Sequence, residues 1–185
     1  DDPFYLKKAN EIFKWVNNFM TSQCGGFYST IDADSEGEEG KYYVFSQKEL
    51  KENFNKEDFS LINQYFTDSG KTNFEGFYHL HVYRKKELVF KKDINKFEKI
   101  MNKLCELRKD KIMPGIDTKI LLSWNCLYIK GLIKLYKLSN SNDVLKVINK
   151  SFEFVFKSMI TNKVIYSCFN DKPCFHFNVI CRHIA

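Results

Sequence analysis

Hydrophobic residues recur at spacings of three and four positions in four long stretches of this chain. These stretches are Phe4 to Met20, Asp93 to Lys111, Thr118 to Leu138 and Asp143 to Ile160. Because that spacing gathers apolar side chains on one face of a helix, each stretch predicts an amphipathic α-helix. The last three follow one another through polar turns, which predicts helices packed as hairpins. The pattern therefore predicts a mainly α fold.

Short β-type segments separate the first helix from the others. Gly25 and Gly26 end that helix, and the segments Phe27 to Ile31 and Lys41 to Phe45 then flank a polar loop. Aromatic and β-branched residues on both sides of such a loop are typical of paired strands. We predict that the two segments are the arms of one long hairpin.

The region after this loop mixes short elements of both kinds. Ser46 to Glu49 has the Ser-x-x-Glu pattern of a capping box and predicts a short helix, and Phe59 to Phe66 predicts a second one. Asp68 to Gly76 is rich in turn residues and predicts a loop. Phe77 to Tyr83 and Val164 to Phe169 are predicted to be strands.

The polar loop is strongly acidic. Between Gly25 and Gly40 the sequence has five carboxylates and no basic residue, and aromatic residues lie on both sides. The carboxylates are Asp32, Asp34, Glu36, Glu38 and Glu39. Aromatic side chains favour burial, so they fix both ends of a loop whose own residues favour water. We predict that the loop forms the edge of a cleft.

Carboxylates two positions apart can carry acid–base chemistry. In an extended chain, Asp32 and Asp34 are separated by ~6 to 7 Å and lie on one face. Glu36 and Glu38 have the same spacing. Two carboxylates at such a distance can divide the roles of general acid and general base. The alternative is a solvated acidic turn without chemistry.

A calcium loop is a second alternative. The first six positions, from Asp32 to Gly37, copy an EF-hand loop except for a Glu at the fifth. The twelfth position is Tyr43, where the EF-hand requires a bidentate Glu. The following segment also reads as a strand and not as an exiting helix, which counts against calcium.

A second group of polar residues precedes and opens the third long helix. Asp117 can cap that helix, and Lys119 can neutralise a carboxylate or extend along the surface. Ser123 and Asn125 bracket Trp124 in the first turns. Trp124 is either a core residue or an aromatic platform for a ligand.

Charge is segregated along the chain. The 185 residues have a formal net charge of +6, and because the acidic loop contributes −5, the remainder carries +11. The lysines are scattered over predicted helix faces among acidic residues, which indicates a solvated surface. No recognition motif accompanies them, so we predict no nucleic-acid partner. No apolar run approaches the ~18 residues of a membrane span, so we predict no membrane partner.

The six cysteines include no Cys-x-x-Cys pair. We therefore expect neither a dithiol redox motif nor a zinc knuckle. Cys105 and Cys126 lie in helical apolar patterns, where cysteine acts as a small hydrophobe. Four zinc-type ligands near the end have unsuitable Cys-x-His spacing. They are Cys174, His176, Cys181 and His183. We predict reduced thiols, a cytoplasmic setting, no metal and no cofactor.

Three ordered motifs carry a family resemblance. They are Gly25 to Ser29 with Asp32 to Lys41 and Tyr43-Val44; Asn73 to Gly76 with Leu80-His81; and Asp117 and Lys119 followed by Ser123-Trp124-Asn125. In these motifs the chain resembles the spermatogenesis-associated, thioredoxin-domain-containing protein family. The resemblance covers roughly Phe4 to Ile160. Cys126 departs from the family's usual Gly, and Asp117-Thr118-Lys119 departs from its Asp-Asp-Lys.

The resemblance implies a fold. The family has a thioredoxin-like domain, absent from this chain, followed by an α/α toroid similar to six-hairpin glycosidases and N-acylglucosamine 2-epimerases. We expect residues 1–185 to be one incomplete toroid domain with short β-hairpin insertions. Its expected parts are a first helix (1–24), the acidic hairpin with connecting elements (25–90), the long helices (91–160) and a divergent tail (161–185).

The resemblance also implies a site for a carbohydrate-like small molecule, with epimerase- or glycosidase-like acid–base chemistry. The catalytic candidates are Asp32, Asp34, Glu36, Asp117 and Lys119. The substrate-binding candidates are Tyr28, Glu75, Trp124 and Asn125. The alternative is a non-catalytic scaffold or interaction module that accompanies the thioredoxin-like domain.

A third hypothesis concerns the ends of the chain. It begins with Asp1 without a signal-peptide pattern, and the sequence from about Phe175 to Ala185 does not continue the family pattern. We therefore expect a fragment, and an inactive truncated gene product or a short variant would explain it.

Overall fold

The computed structural model describes residues 3–67, 70–81, 94–161 and 163–174. The fold is mainly α, as the sequence predicts. The helices are α1 (Pro3–Phe19), α2 (Gln47–Asn53), α3 (Lys56–Phe66), α4 (Ile94–Lys109), α5 (Leu122–Ser139) and α6 (Asn142–Phe154). One π-helical turn, Val155–Met159, continues α6. The predicted start at Asp93 lies outside the described residues. None of the described helices is both long and apolar enough to cross a bilayer.

The strands are short and pair in antiparallel fashion. They are β1 (Thr30–Ile31), β2 (Asp34–Ser35), β3 (Glu38–Glu39), β4 (Val44–Phe45), β5 (Tyr78–His79), β6 (Ile116–Asp117), β7 (Ile120–Leu121), β8 (Ile160–Thr161), β9 (Val164–Ile165), β10 (Cys168–Asn170) and β11 (Lys172–Cys174). The pairs are β1–β6, β2–β3, β4–β5 and β8–β9, and β11, β10 and β7 form one sheet in that order. The predicted strand Phe77 to Tyr83 is β5 in its described part.

The chain divides into two compact units. One combines residues 1–31 with 116–185, and the other consists of residues 32–115. We call the first the discontinuous unit and the second the inserted unit, because the second interrupts the first in sequence. Each has its own hydrophobic core.

Helices α1, α5 and α6 build the discontinuous unit. Its core includes Phe13, Phe27, Ile129, Leu132, Val144, Ile148 and Met159. Helix α5 ends at Asn140, which has a left-handed φ of 50° and donates its N–H to the Tyr136 carbonyl oxygen at 2.8 Å. Ser141 then caps α6 by accepting the Val144 N–H. A two-residue connection therefore closes the predicted helical hairpin.

Helices α2, α3 and α4 pack around the core of the inserted unit. This core includes Phe45, Leu50, Ile62, Tyr65, Tyr78, Phe97 and Ile100. The predicted capping box is confirmed at the start of α2. The Ser46 hydroxyl accepts the Glu49 N–H at 3.0 Å, and the Glu49 carboxylate accepts the Ser46 N–H at 3.3 Å.

The prediction of one long hairpin is wrong. Strand β1 pairs with β6, and β4 pairs with β5. The acidic loop instead closes on itself, because β2 and β3 pair directly across the two-residue turn Glu36-Gly37. Both turn residues have positive φ angles, 55° and 79°, which match the right-handed twist of short hairpins. The segments outside this small hairpin then pair elsewhere.

Two further expectations need correction. Cys105 and Cys126 are exposed on their helices and do not act as core residues. The predicted strand from Val164 to Phe169 is two strands, β9 and β10, with different partners.

Candidate functional site

The acidic loop is a short hairpin whose carboxylates are exposed. Asp34 lies opposite Glu39, and Ser35 lies opposite Glu38. Ser35 is 4% exposed, and its hydroxyl donates to the Ile112 carbonyl oxygen at 2.5 Å. This bond anchors one face of the hairpin, while the carboxylates remain exposed. A two-residue turn and a buried anchor therefore hold the acidic groups in fixed positions.

Lys41 follows the hairpin and neutralises part of its charge. Its Nζ lies 2.8 Å from Glu38 Oε1 and 3.4 Å from Glu36 Oε2. The hydrogen bond to Glu38 and the nearby negative charge raise the pKa of Lys41, so it stays cationic. Both pairs are solvent-exposed, so they orient side chains more than they stabilise the fold.

A second turn of the same kind faces the same cavity. Phe74 and Phe77 pair through backbone hydrogen bonds of 3.2 and 2.7 Å, and Glu75-Gly76 forms the turn between them. The φ angles of Glu75 and Gly76 are 44° and 85°. Left-handed φ angles are uncommon for residues with a side chain, and such strain concentrates at functional sites. The inserted unit therefore has two Glu-Gly turns with matching backbone conformations.

The two turns line a cavity of about 630 Å³ within the inserted unit. Its carboxylates are Glu36, Glu38, Glu39, Glu49, Glu75 and Asp110. Lys41 and Lys111 are its ammonium groups, which gives the described lining a formal charge of −4. Aromatic rings of Tyr42, Phe74 and Phe77 complete the wall. Such a mixture of acid groups and aromatic faces suits a polar ligand with apolar patches.

Lys111 and Glu49 belong to the frame of this cavity. The Lys111 Nζ lies 3.4 Å from Glu49 Oε1, and these side chains are only 21% and 27% exposed. The same ammonium donates to the Val44 carbonyl oxygen and lies 4.3 Å from the centre of the Phe45 ring. Glu49 also serves the capping box of α2. Both groups are therefore already engaged by protein atoms.

The other carboxylates differ in this respect. Within the described part of the chain, the carboxylates of Glu39, Glu75 and Asp110 have no ion-pair or hydrogen-bond partner. Phe77 is 42% exposed beside them. These groups are consequently available to a ligand without the loss of an ion pair.

In the discontinuous unit, Asp117 and Lys119 form a local pair. Asp117 Oδ1 accepts the Lys119 N–H at 3.1 Å, and Oδ2 lies 3.0 Å from Lys119 Nζ. The backbone N–H and then the side chain of Lys119 lower the pKa of Asp117. Asp117 does not cap α5, because Ile120 and Leu121 first form β7 and the helix begins only at Leu122.

Asn125 joins the Gly-Gly-Phe and Trp-Asn motifs. It is 2% exposed and accepts the Phe27 N–H at 2.7 Å. Its amide donates to the carbonyl oxygens of Phe27 and Leu121 at 3.0 and 2.9 Å. Both of its amide hydrogens are therefore used by backbone groups. Gly26 is needed nearby, because a Cβ there would lie 2.6 Å from Ile120 Cδ1.

Tyr28 and Trp124 have different environments. Tyr28 is half-buried and packs against the core of the discontinuous unit. Trp124 is 53% exposed, so it is not a core residue and its ring is accessible. The stacking role predicted for Trp124 stays a prediction.

The predicted site residues are divided between the two units. Tyr28, Asp117, Lys119, Trp124 and Asn125 lie in the discontinuous unit, and Asp32, Asp34, Glu36 and Glu75 lie in the inserted unit. Among them, Glu36 and Glu75 line one cavity, and Asp117 and Lys119 form an ion pair. Asp32 Oδ1 accepts the Asp34 N–H at 3.2 Å. No group of three or more His, Cys, Asp or Glu residues in the described ranges is arranged to hold a metal ion.

Sequence reasoning missed several members of the cavity. They are Glu49, Phe74, Phe77, Asp110 and Lys111. One signal was available, because Glu-Gly occurs at 36–37 and 39–40 in the acidic loop and again at 75–76, between Phe74 and Phe77. The structure forms similar turns from the first and the last of these three dipeptides. The potential zinc ligands His176, Cys181 and His183 lie outside the described residues.

No known family model matches the sequence. Human spermatogenesis-associated protein 20 is 30% identical over 162 residues, which cover 70% of this chain and 21% of that protein. This chain is homologous to spermatogenesis-associated protein 20. The mouse protein of the same name is 40% identical over 57 residues, which are 28% of this chain and 7% of the mouse protein.

A nematode protein is also similar. The uncharacterized protein B0495.5 of Caenorhabditis elegans is 25% identical over an alignment 186 residues long, in which 83% of this chain and 25% of that protein are covered. The chain thus spans about a quarter or less of the length of each of these relatives.

Proposed function

We propose that the cavity of the inserted unit binds a carbohydrate-like small molecule. The observation that supports this most is the pair of Glu-Gly turns, Glu36-Gly37 and Glu75-Gly76, on one aromatic-lined cavity. Its volume of about 630 Å³ falls in the range of roughly 300 to 1,000 Å³ that small-molecule sites have.

The chemistry of the lining supports a polyhydroxylated ligand. Sugar hydroxyls donate hydrogen bonds, and charged carboxylates are strong acceptors for them. Glu39, Glu75 and Asp110 can accept such bonds without breaking an ion pair described above. The apolar faces of a sugar ring can pack on an exposed aromatic ring such as Phe77. The fixed backbone of both turns reduces the entropy lost on binding.

We extend the proposal to acid–base chemistry by Glu36, a predicted catalytic candidate, together with Glu75, a predicted substrate-binding candidate. Two carboxylates on separate turns of one cavity can approach a ligand from different sides, as glycosidase pairs do. Asp32, Asp34, Asp117 and Lys119 remain predicted candidates. In this reading the chain is part of an α/α toroid, and the α5–α6 hairpin and the homology described above support that architecture.

The alternative function is a scaffold or interaction module that accompanies a thioredoxin-like domain. The exposed carboxylates Glu38 and Glu39 would then contact a protein partner. The two functions predict different effects of removing a single carboxylate. Only the first predicts a loss of affinity for free saccharides.

The test replaces Glu36 and Glu75 by Asn. Asn adopts left-handed φ more readily than other residues with a side chain, so the turns remain while the carboxylates are lost. We expect each substitution to weaken saccharide binding about tenfold, which corresponds to ~1.4 kcal/mol. Calorimetric titration with a panel of neutral, amino and acidic monosaccharides measures this. Turnover assays on the same panel test the acid–base extension.

A matched control is Glu52→Gln on α2. Glu52 belongs to the same unit, is exposed and does not line the cavity, so its loss should leave the affinity unchanged. Absence of saccharide binding by the unmodified chain at millimolar concentration would refute the proposal. Equal affinities of the three variants would also contradict it.

A further inference from the structure

Two cysteines lie opposite each other in the small sheet of the discontinuous unit. Cys168 on β10 is the register partner of Cys174 on β11. Both are free cysteines, and the pairing of the strands places them directly across from each other.

The register satisfies the geometry of a disulfide. Directly opposite residues of antiparallel strands have Cα atoms about 4.5 to 5.5 Å apart. Disulfides usually join Cα atoms separated by roughly 4.4 to 6.8 Å. Side chains of directly opposite residues project from the same face of the sheet, so a bond between the two sulfur atoms requires little movement of the backbone.

The two thiols differ in access. Cys168 is 1% exposed, whereas Cys174 is half-buried. Burial, with a smaller contribution from the neighbouring Cys174 thiol, raises the pKa of Cys168 to about 11. The charged groups that act on Cys168 are Lys119, which lowers its pKa, and Asp117, which raises it. A reagent in solution therefore meets Cys174 first.

We propose that Cys168 and Cys174 form a redox modification site that a small-molecule disulfide converts to an intramolecular disulfide. The Cys174 thiolate attacks the reagent, forms a mixed disulfide and releases one thiolate. Cys168 then loses its proton to solvent and attacks the Cys174 sulfur, which releases the second thiolate. The two protein thiols are oxidised, and the reagent is reduced to two thiols.

The position of the pair gives the reaction a structural consequence. Strand β10 joins β11 to β7, and β7 directly follows Lys119 and leads into α5. A covalent bond between β10 and β11 fixes the outer strand of this sheet. This sheet belongs to the discontinuous unit and shares no residue with the cavity of the inserted unit.

The experiment treats the full chain with glutathione disulfide. Digestion before Asp171 and after Phe175 separates Cys168, Cys174 and Cys181 into different peptides, which mass spectrometry then identifies without reduction. We expect a Cys168–Cys174 cross-link and a loss of about 2 Da from the intact chain, because two thiol hydrogens leave. The closing step should accelerate roughly tenfold per pH unit between pH 7 and 9, since Cys168 must ionise.

Three variants complete the test. Cys168→Ser should stop at a mixed disulfide on Cys174, and Cys174→Ser should remain largely unmodified at position 168. Cys126→Ser, which removes an exposed cysteine outside the pair, should leave the cross-link intact. A cross-link that uses other cysteines, or a stable mixed disulfide on Cys174 in the unmodified chain, would overturn the proposal. The unmodified chain decides this outcome even if a variant folds poorly.

Discussion

The two units use their polar motif residues in opposite ways. In the discontinuous unit, the Asn125 side chain forms hydrogen bonds with backbone groups of Phe27 and Leu121. Asp117 accepts a hydrogen bond from the backbone N–H of Lys119 in its own loop. In the inserted unit, Glu75 lies on a strained turn and lines a cavity. Its carboxylate has no hydrogen-bond or ion-pair partner among the described residues. Polar residues of the sequence motifs can therefore either stabilise the fold through internal hydrogen bonds or remain available to a ligand.

The largest expected effect is on the stability of the discontinuous unit. Asn125→Ala leaves the Phe27 N–H and carbonyl oxygen without their side-chain partner in a buried setting. Because unsatisfied buried polar groups are costly, we expect a loss of about 2 to 4 kcal/mol in the free energy of unfolding. Urea denaturation followed by circular dichroism measures it.

The control for that variant is Ser123→Ala. Ser123 is exposed two positions earlier on the same helix, so its change should stay within about 0.5 kcal/mol. Equal stability of the two variants would show that Asn125 does not join the two motifs.

Substitution of one glycine in each unit should have an effect of intermediate size on stability. Gly26→Ala would place a Cβ 2.6 Å from Ile120 Cδ1 and 2.7 Å from Phe154 Cε1, and overpacking of this kind costs about 1 to 3 kcal/mol. Gly37→Ala meets no atom within 4 Å, so only its positive φ of 79° opposes it, at about 1 kcal/mol. We therefore expect a lower Tm for Gly26→Ala than for Gly37→Ala in thermal unfolding. The reverse order would contradict the account of Gly26 as a packing position.

The smallest expected effect concerns the pH dependence of Asp117. Its folded-state pKa is lowered, so its contribution to stability is present above its unfolded pKa of about 3.9 and disappears as the pH falls through the lower folded value. The side chain is 36% exposed, so solvent screening limits the contribution to about 0.5 kcal/mol.

Asp117→Asn should accordingly be slightly less stable than the unmodified chain at pH 7 and equally stable near pH 2. Denaturation curves at both pH values check this sign. A difference that grows on acidification would contradict the assigned environment of Asp117.

Local signals made much of the fold predictable. The three- and four-residue spacing identified the long helices, and Ser46 with Glu49 identified the start of α2. Strand partners were not predictable in this way, because two-residue strands carry almost no pattern and Thr30 pairs with Asp117, far away in sequence. The late start of α5 has the same cause, since Ile120 and Leu121 pair with the distant strand β10 before the helix begins.

The candidate site was predictable only in part. Charge identified the acidic loop, and Glu36 and Glu75 both came from sequence reasoning. The cavity itself depends on Asp110 and Lys111, which follow α4, and on packing of Gly40 against the Phe74 ring, where a Cβ would lie 2.9 Å from Phe74 Cζ. Such contacts join distant segments and leave no periodic signal. Asn125 was predicted to bind substrate, and its buried hydrogen bonds could not be read from the sequence.

The central claim is that the two Glu-Gly turns form one ligand site. The most direct measurement is two-dimensional amide NMR of the labelled chain during titration with a saccharide that binds. The account predicts that the largest shifts occur at residues 36–42 and 74–77. Shifts confined to residues around Trp124, or the same shifts in a Glu36→Asn, Glu75→Asn double variant, would contradict it.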